Sequence, residues 1–175
     1  MSTITIVPNG ITELDTQAVV NAANEHLMMG SGVCGYIFNA AGPHILQAAC
    51  DQIGHCGTGK AVITPAFNMR NAKYIIHAVG PIYKGGFYGE PKLLYGAYYR
   101  SLELCLEKGI TSVGFPLISA GVFGYPVYKA WKQALKACRD FIKKHPDFDI
   151  RIVFAIPCDE NRAYGDMVMK ELKLC

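Results

Sequence analysis

A chain of 175 residues, 51% apolar and 18% charged, can enclose a substantial core as one domain over residues 1–175, and is too hydrophobic to be a disordered segment. Its formal charge of +3 is small, and the basic residues stand singly or in pairs such as Lys143 and Lys144, which argues against a nucleic-acid partner. No apolar stretch approaches the length of a membrane span, and the opening MSTITIVPNG lacks the basic start and apolar run of a secretion signal, so the expectation is a cytoplasmic protein with no membrane partner.

In chain order, short apolar runs alternate with helical patterns, the signature of an α/β layered fold. ITIV (4–7) is predicted as a first strand, closed by Pro8, Asn9 and Gly10. AVVNAA (18–23) is a second strand and runs into a loop carrying Gly30, Gly32 and Gly35. Two short helices follow over 33–41 and 43–53, broken at Gly42 and Pro43. AVITPAF (61–67) and KYIIHAVG (73–80) are two further strands joined by a turn over 68–71. His77, in the second of them, reads as a hydrogen-bonded core histidine.

The loop YKGGFYGEP (83–91) precedes a long helix over 92–108, in which Leu94, Tyr98, Leu102 and Cys105 fall on one core-facing stripe. Tyr83, Phe87 and Tyr88 read equally as a lid or as cover for a sheet edge. SVGFPLI (112–118) is a buried strand leading into a second glycine-rich loop, SAGVFGYP (119–126). A helix over 127–144 carries Trp131, Leu135 and Cys138 toward the core. A strand over 149–156, with Phe154 facing inward, and a helix over 161–173 complete the pattern. The expected architecture is a three-layer α/β/α sandwich around a mixed sheet of about six strands.

Seven irregularly spaced cysteines without a secretion signal read as reduced thiols. Cys50, His55 and Cys56 match no common zinc-ligand spacing, so no metal and no cofactor is expected. The two glycine-rich loops carry the functional signal, because each leaves a strand and enters a helix. Free N–H groups at such helix starts favour phosphate. There is no Gly-Lys-Ser/Thr of a P-loop. GSGVCG (30–35) matches the dinucleotide fingerprint in the wrong context, separated from its strand and without the acid that should close a second strand. Cys34 sits at a helix start, where a lowered thiol pKa is expected.

VVNAAN (19–24), GSGVCGYIFNAAG (30–42), TGKAVIT (58–64), YIIHAVGP (74–81) and the stretch from Ser101 to Pro126 resemble, in order, the successive motifs of the macrodomain family, closest to its bacterial and MacroD-type branch. The resemblance implies a monomeric α/β/α domain whose partner is ADP-ribose or an ADP-ribosylated protein. It further implies that some members hydrolyse ADP-ribosyl esters on proteins or O-acetyl-ADP-ribose, with a non-catalytic reader of ADP-ribose or a related nucleotide as the alternative.

Carried over by motif, Asn24 would bond the distal ribose. Gly30, Ser31, Gly32, Val33 and Gly35 would wrap the diphosphate from one side. Ser119, Ala120, Gly121, Val122 and Gly124 would wrap it from the other, with Phe123 against the distal ribose. Gly10, Ile11 and Pro157 would fall at the adenine end. Asn24 and Cys34 are the two candidates for the catalytic positions. This chain also departs from the family pattern. Gly10 stands where an Asp usually accepts the adenine amino group, and Cys34 where MacroD-type enzymes carry Asp. Phe38 and Asn39 replace a frequent His-Arg pair.

Overall fold

The computed structural model describes residues 1–174. Six strands form one sheet: β1 (Thr3–Val7), β2 (Ala18–Ala23), β3 (Ala61–Pro65), β4 (Tyr74–Val79), β5 (Ser112–Phe115) and β6 (Arg151–Ala155). Their spatial order is β1-β6-β5-β2-β4-β3. All neighbours are parallel except β3, which runs antiparallel to β4 at one edge. The central strands β2, β4 and β5 are buried almost throughout, because helices cover both faces and leave no solvated side to alternate with. The edge strand β3 tolerates Pro65 at its end, where no ladder donor is needed.

Five α-helices supply the two outer layers: α1 (Gly32–Ala41), α2 (Pro43–Ile53), α3 (Glu90–Lys108), α4 (Val127–Lys144) and α5 (Asp159–Glu171). Helices α1 and α2 close one face with Ile37, Phe38 and Leu46 against Val19, Ile75 and Val79. Helices α3, α4 and α5 close the other, where Tyr98, Trp131 and Phe141 pack with Phe115 and Phe154. The expected stripe of Leu94, Tyr98, Leu102 and Cys105 is fully buried, as are Trp131, Leu135 and Cys138.

The differences from the sequence reading are at element ends. A single turn of 3-10 helix, Ile11–Glu13, intervenes between β1 and β2. Strand β5 stops at Phe115 rather than 118, because Pro116 has no N–H to continue the ladder. Helix α5 spans Asp159–Glu171, two residues earlier than expected at both ends. Among the described residues, no helix is long and apolar enough to cross a membrane.

The loop over 83–89 is held in shape by one side chain. Glu90, 2% exposed, accepts backbone N–H bonds from Lys84, Gly86 and Tyr88 at 2.6–2.9 Å. Those bonds hold its carboxyl well below the usual carboxylate range, at about 2, against the opposing effect of burial. Phe87 and Tyr88 are left exposed, at 93% and 73%.

Candidate functional site

Strands β2 and β5 are neighbours, yet β2 feeds α1 on one face of the sheet and β5 leads to α4 on the other. In open α/β sheets the crevice at such a divergence, outside the carboxyl ends of the strands, is where ligands sit. A cavity of about 480 Å³ lies there. Its walls come from the segments that follow β2, β5 and β6, with Gly80 after β4 between them.

On one side stand Asn24, Gly30, Ser31, Gly32, Val33 and Cys34. On the other stand Ser119, Ala120, Gly121, Val122 and Phe123, and Pro157 with Cys158 closes one end. Four positions carried over by motif stand outside this lining. Gly10 donates its N–H to Glu13 Oε1 at 2.7 Å, and Ile11 is 5% exposed in the core beneath α1. Gly35 packs inward: a Cβ there would stand 2.8 Å from Gly30 O, so glycine lets the loop cross the helix. Gly124 closes the turn behind the second loop, its N–H donating to Gly121 O at 3.0 Å.

The first loop is tied to itself by polar side chains. Asn24 Oδ1 accepts the Met28 N–H at 3.0 Å, and Asn24 Nδ2 donates to Met28 O at 2.9 Å. Each end of that carboxamide keeps one further bonding position, and Asn24 remains on the cavity wall. Gln47, from α2, accepts the Met29 N–H and donates to Leu27 O and Asp51 Oδ1.

Cys34 is 6% exposed. Its Sγ accepts the Gly30 N–H at 3.3 Å and lies 3.7 Å from both Asn21 Nδ2 and Met28 O. The lowered thiol pKa expected from the helix start is not found. Burial pushes the thiol up, outweighing the Gly30 and Asn21 bonds that lower it. Cys34 is therefore a neutral thiol at pH 7.

Beneath it lies a buried polar chain that the sequence did not disclose. Asn21 and His77 face each other across β2 and β4, and Asn21 Nδ2 is 3.1 Å from His77 Nδ1. With Nδ1 accepting, Nε2 carries the proton and donates to Thr64 Oγ1 at 2.9 Å. His77 is fully buried, and burial pushes its pKa down to about 4, so it is neutral.

The second loop is held from below. Tyr98, fully buried on α3, donates its hydroxyl hydrogen to Pro116 O at 3.0 Å and accepts the Ile118 N–H at 2.8 Å. Gly80 admits Ser119 against it, since a Cβ there would fall 2.2 Å from Ser119 Oγ. At the tip Val122 is 92% exposed. After β6, Arg162 donates to Ile156 O and Pro157 O at 2.8 and 2.9 Å, fixing the third wall. Tyr98 and Arg162 are positioning residues: the sequence placed Tyr98 on a core stripe, and nothing in the spacing singled out Arg162.

The electrostatics are unusual in one respect. Among the described residues, no Asp, Glu, Lys, Arg or His lines the cavity. What faces it is the start of α1, whose first turn carries no acid and whose Ser31 makes no side-chain cap bond. The start of α5, by contrast, carries Asp159 and Glu160. The α1 terminus therefore offers unneutralised N–H groups to an anion. Among the described residues, no three metal-ligating side chains come together.

Comparison with known proteins gives a consistent set of likenesses. A model of the Macro domain family matches residues 20–134. An O-acetyl-ADP-ribose deacetylase of Cronobacter turicensis is 48% identical over 147 residues, covering 82% of each chain. The solved Oceanobacillus iheyensis macrodomain with ADP superposes with a TM-score of 0.89 at 34% identity, over 96% of this chain and 90% of that one. The Trypanosoma brucei macrodomain in complex with ADP-ribose gives 0.86 at 32% identity, over 94% and 68%.

Proposed function

The chain belongs to the Macro domain family, and from that premise we propose that its main cavity binds ADP-ribose, with the diphosphate gripped between the 30–34 and 119–123 loops. The observation that carries this reading is an uncharged cavity opening onto an uncapped helix start. An anion there is met by backbone N–H groups and the helix dipole, at fixed positions and without a lysine. The volume suits a ligand of dinucleotide size. Asn24, with one donor and one acceptor position still free, is placed to bond a ribose hydroxyl, and Phe123 to back a sugar face.

Calorimetry tests this directly. ADP-ribose should bind, and adenosine, lacking the diphosphate, should not. Because no charged side chain contributes, affinity should change little between 50 and 200 mM salt, a test range in which lysine-based phosphate sites weaken markedly. An ADP-ribose titration with no heat and no chemical-shift change would end this reading.

A second reading, ester hydrolysis, is favoured by the likeness to O-acetyl-ADP-ribose deacetylases. The cavity holds no carboxylate or imidazole to act as base, and the Cys34 thiol is neutral. Water would then be activated by the phosphate of the ligand itself, and turnover should be slow. Cys34→Asp would add a carboxyl group whose pKa burial raises toward neutrality, the range in which a general base works best. The rate of O-acetyl-ADP-ribose hydrolysis should rise by roughly 10²-fold or more in that variant. Fast wild-type turnover abolished by Cys34→Ser would instead make the cysteine the catalyst.

A further inference from the structure

On the far side of the second loop lies another cavity, of about 320 Å³. It shares a wall with the first. Tyr83 donates its N–H to Phe123 O at 2.8 Å, and Tyr125 donates its N–H to Ser119 O at 2.9 Å. Phe123 and Ser119 line the first cavity, whereas Tyr83 and Tyr125 line the second. The remaining walls are Gly85, Gly86 and Phe87 from the 83–89 loop, Pro91 at the start of α3, and Lys129, Lys132 and Gln133 from the first turns of α4.

Three features of this cavity converge on one kind of ligand. The first is aromatic surface held ready in place. Tyr83 and Tyr125 pack at 4.8 Å between ring centroids, and Phe87 stands 93% exposed above a loop that Glu90 holds by three backbone bonds. A large apolar ring left in water on an ordered loop is a surface for stacking a planar group. Tyr125 is 3% exposed, and burial raises its pKa to about 12, so its hydroxyl stays protonated.

The second feature is positive charge on one wall only. Lys129 forms no ion pair with any described residue. Lys132 lies 3.8 Å from Glu171 and 4.9 Å from the Tyr128 ring, an exposed and therefore weak engagement. The first turn of α4 carries no acid, and its Pro126 cap makes no side-chain bond, so the helix dipole adds to the lysines. The opposite wall cannot hold an anion in this way, since the Lys84, Gly86 and Tyr88 N–H groups are taken by Glu90. An anionic group is thus directed to α4 and a ring to the loop.

The third feature is Gln133, whose carboxamide can donate and accept at once, as the edge of a nucleobase requires and a plain phenyl ring does not. The volume, near the lower limit for small-molecule sites, fits one mononucleotide rather than two.

From these features we propose that the cavity between the 83–89 loop and α4 is a second ligand site, taking a nucleoside monophosphate with its phosphate at Lys129 and Lys132 and its base against Phe87. The site stands apart from the ADP-ribose reading and does not depend on it. It adds a mononucleotide position one loop away from the main cavity, so that a ligand bearing more than one nucleotide unit could touch both.

The test is a nuclear magnetic resonance titration of the full chain with adenosine monophosphate, in the presence of saturating ADP-ribose. Saturable shifts are expected at Tyr83, Phe87 and Lys129, with those of Asn24 and Gly30 already fixed by ADP-ribose. The Lys129→Ala/Lys132→Ala double variant should weaken this second event at least tenfold, and Phe87→Ala at least threefold. Both should leave ADP-ribose binding unchanged, which also shows that they fold. Adenosine should bind at least tenfold more weakly than its monophosphate.

No shift at Tyr83, Phe87 and Lys129 would overturn the proposal, as would shifts insensitive to the double variant. Tighter binding of O-phosphotyrosine than of adenosine monophosphate would overturn the assignment to a nucleotide. Failure of ADP-ribose to move Asn24 and Gly30 would count against the main cavity alone.

Discussion

The two loops that face each other across the main cavity are stabilised in opposite ways. The first, from Asn24 to Cys34, is bonded along its length by exposed or half-buried side chains, and rests on the buried Asn21–His77–Thr64 chain. The second, from Pro116 to Phe123, is fixed at its root by the Tyr98 hydroxyl and further on by backbone bonds from Tyr125 to Ser119 and from Tyr83 to Phe123, with Val122 exposed at its tip. The foundation of the first loop titrates in the acid range; that of the second does not. A ligand held between them meets one wall fixed by side-chain bonds and one fixed by the Tyr98 hydroxyl and backbone bonds.

Acid should break the comparison most strongly. His77 has its folded-state pKa lowered from 6.5 to about 4, so its contribution is complete above pH 6.5 and is lost as pH falls toward 4. A shift of that size corresponds to about 3 kcal/mol of stability, at 1.36 kcal/mol per unit. Urea unfolding followed by Trp131 fluorescence should show this loss between pH 6.5 and 4. His77→Gln should flatten the window, and its persistence in that variant would move the cause elsewhere.

Next is Tyr98→Phe, which keeps the ring and removes the anchor of the second loop. The Ile118 N–H and Pro116 carbonyl would lose their partner in the core, at a cost of about 2 kcal/mol or more. The loss should be independent of pH across the His77 window. Amide exchange should rise at residues 117–120 and leave 24–34 unchanged. Equal change in both loops would mean that they open as one unit.

Asn24→Ala has a smaller expected effect on stability and a clear one on ligand. Affinity for ADP-ribose should fall by about 1.4 kcal/mol, or tenfold in calorimetry, through loss of the ribose contact and of the Met28 tie together. Asn24→Asp separates the two causes. It keeps an acceptor for the Met28 N–H but sets a negative charge on the cavity wall, so native amide exchange at Met28 with affinity still lost would assign the loss to the ligand contact and not to loop order.

Gln47→Ala should have the smallest effect. It releases the exposed Met29 N–H, which water can reach, and the half-buried Leu27 carbonyl, at a cost of about 1 kcal/mol. Faster amide exchange at Met29 with near-native ADP-ribose affinity is the expected result. A tenfold loss of affinity would show that the first loop depends on α2 as strongly as the second depends on Tyr98.

Much of this molecule follows from local pattern. The strand and helix order, the stripe from Leu94 to Cys105 and the two glycine-rich loops are all written in spacing, because periodicities of two and 3.6 residues and the placement of glycine act over a few residues. The motif order from VVNAAN to FGYP located both walls of the cavity. Other features were decided only by chain segments meeting. The antiparallel β3, the facing of Asn21 and His77 across 56 residues of sequence, and the capture of the second loop by Tyr98 all depend on sheet register. So does the state of Cys34. Its position at a helix start argues for a lowered pKa, and burial reverses the sign, outweighing the bonds from Gly30 and Asn21 that lower it. A thiol responds to the dielectric and the donors around it, and those are supplied by residues that sequence spacing does not place beside it.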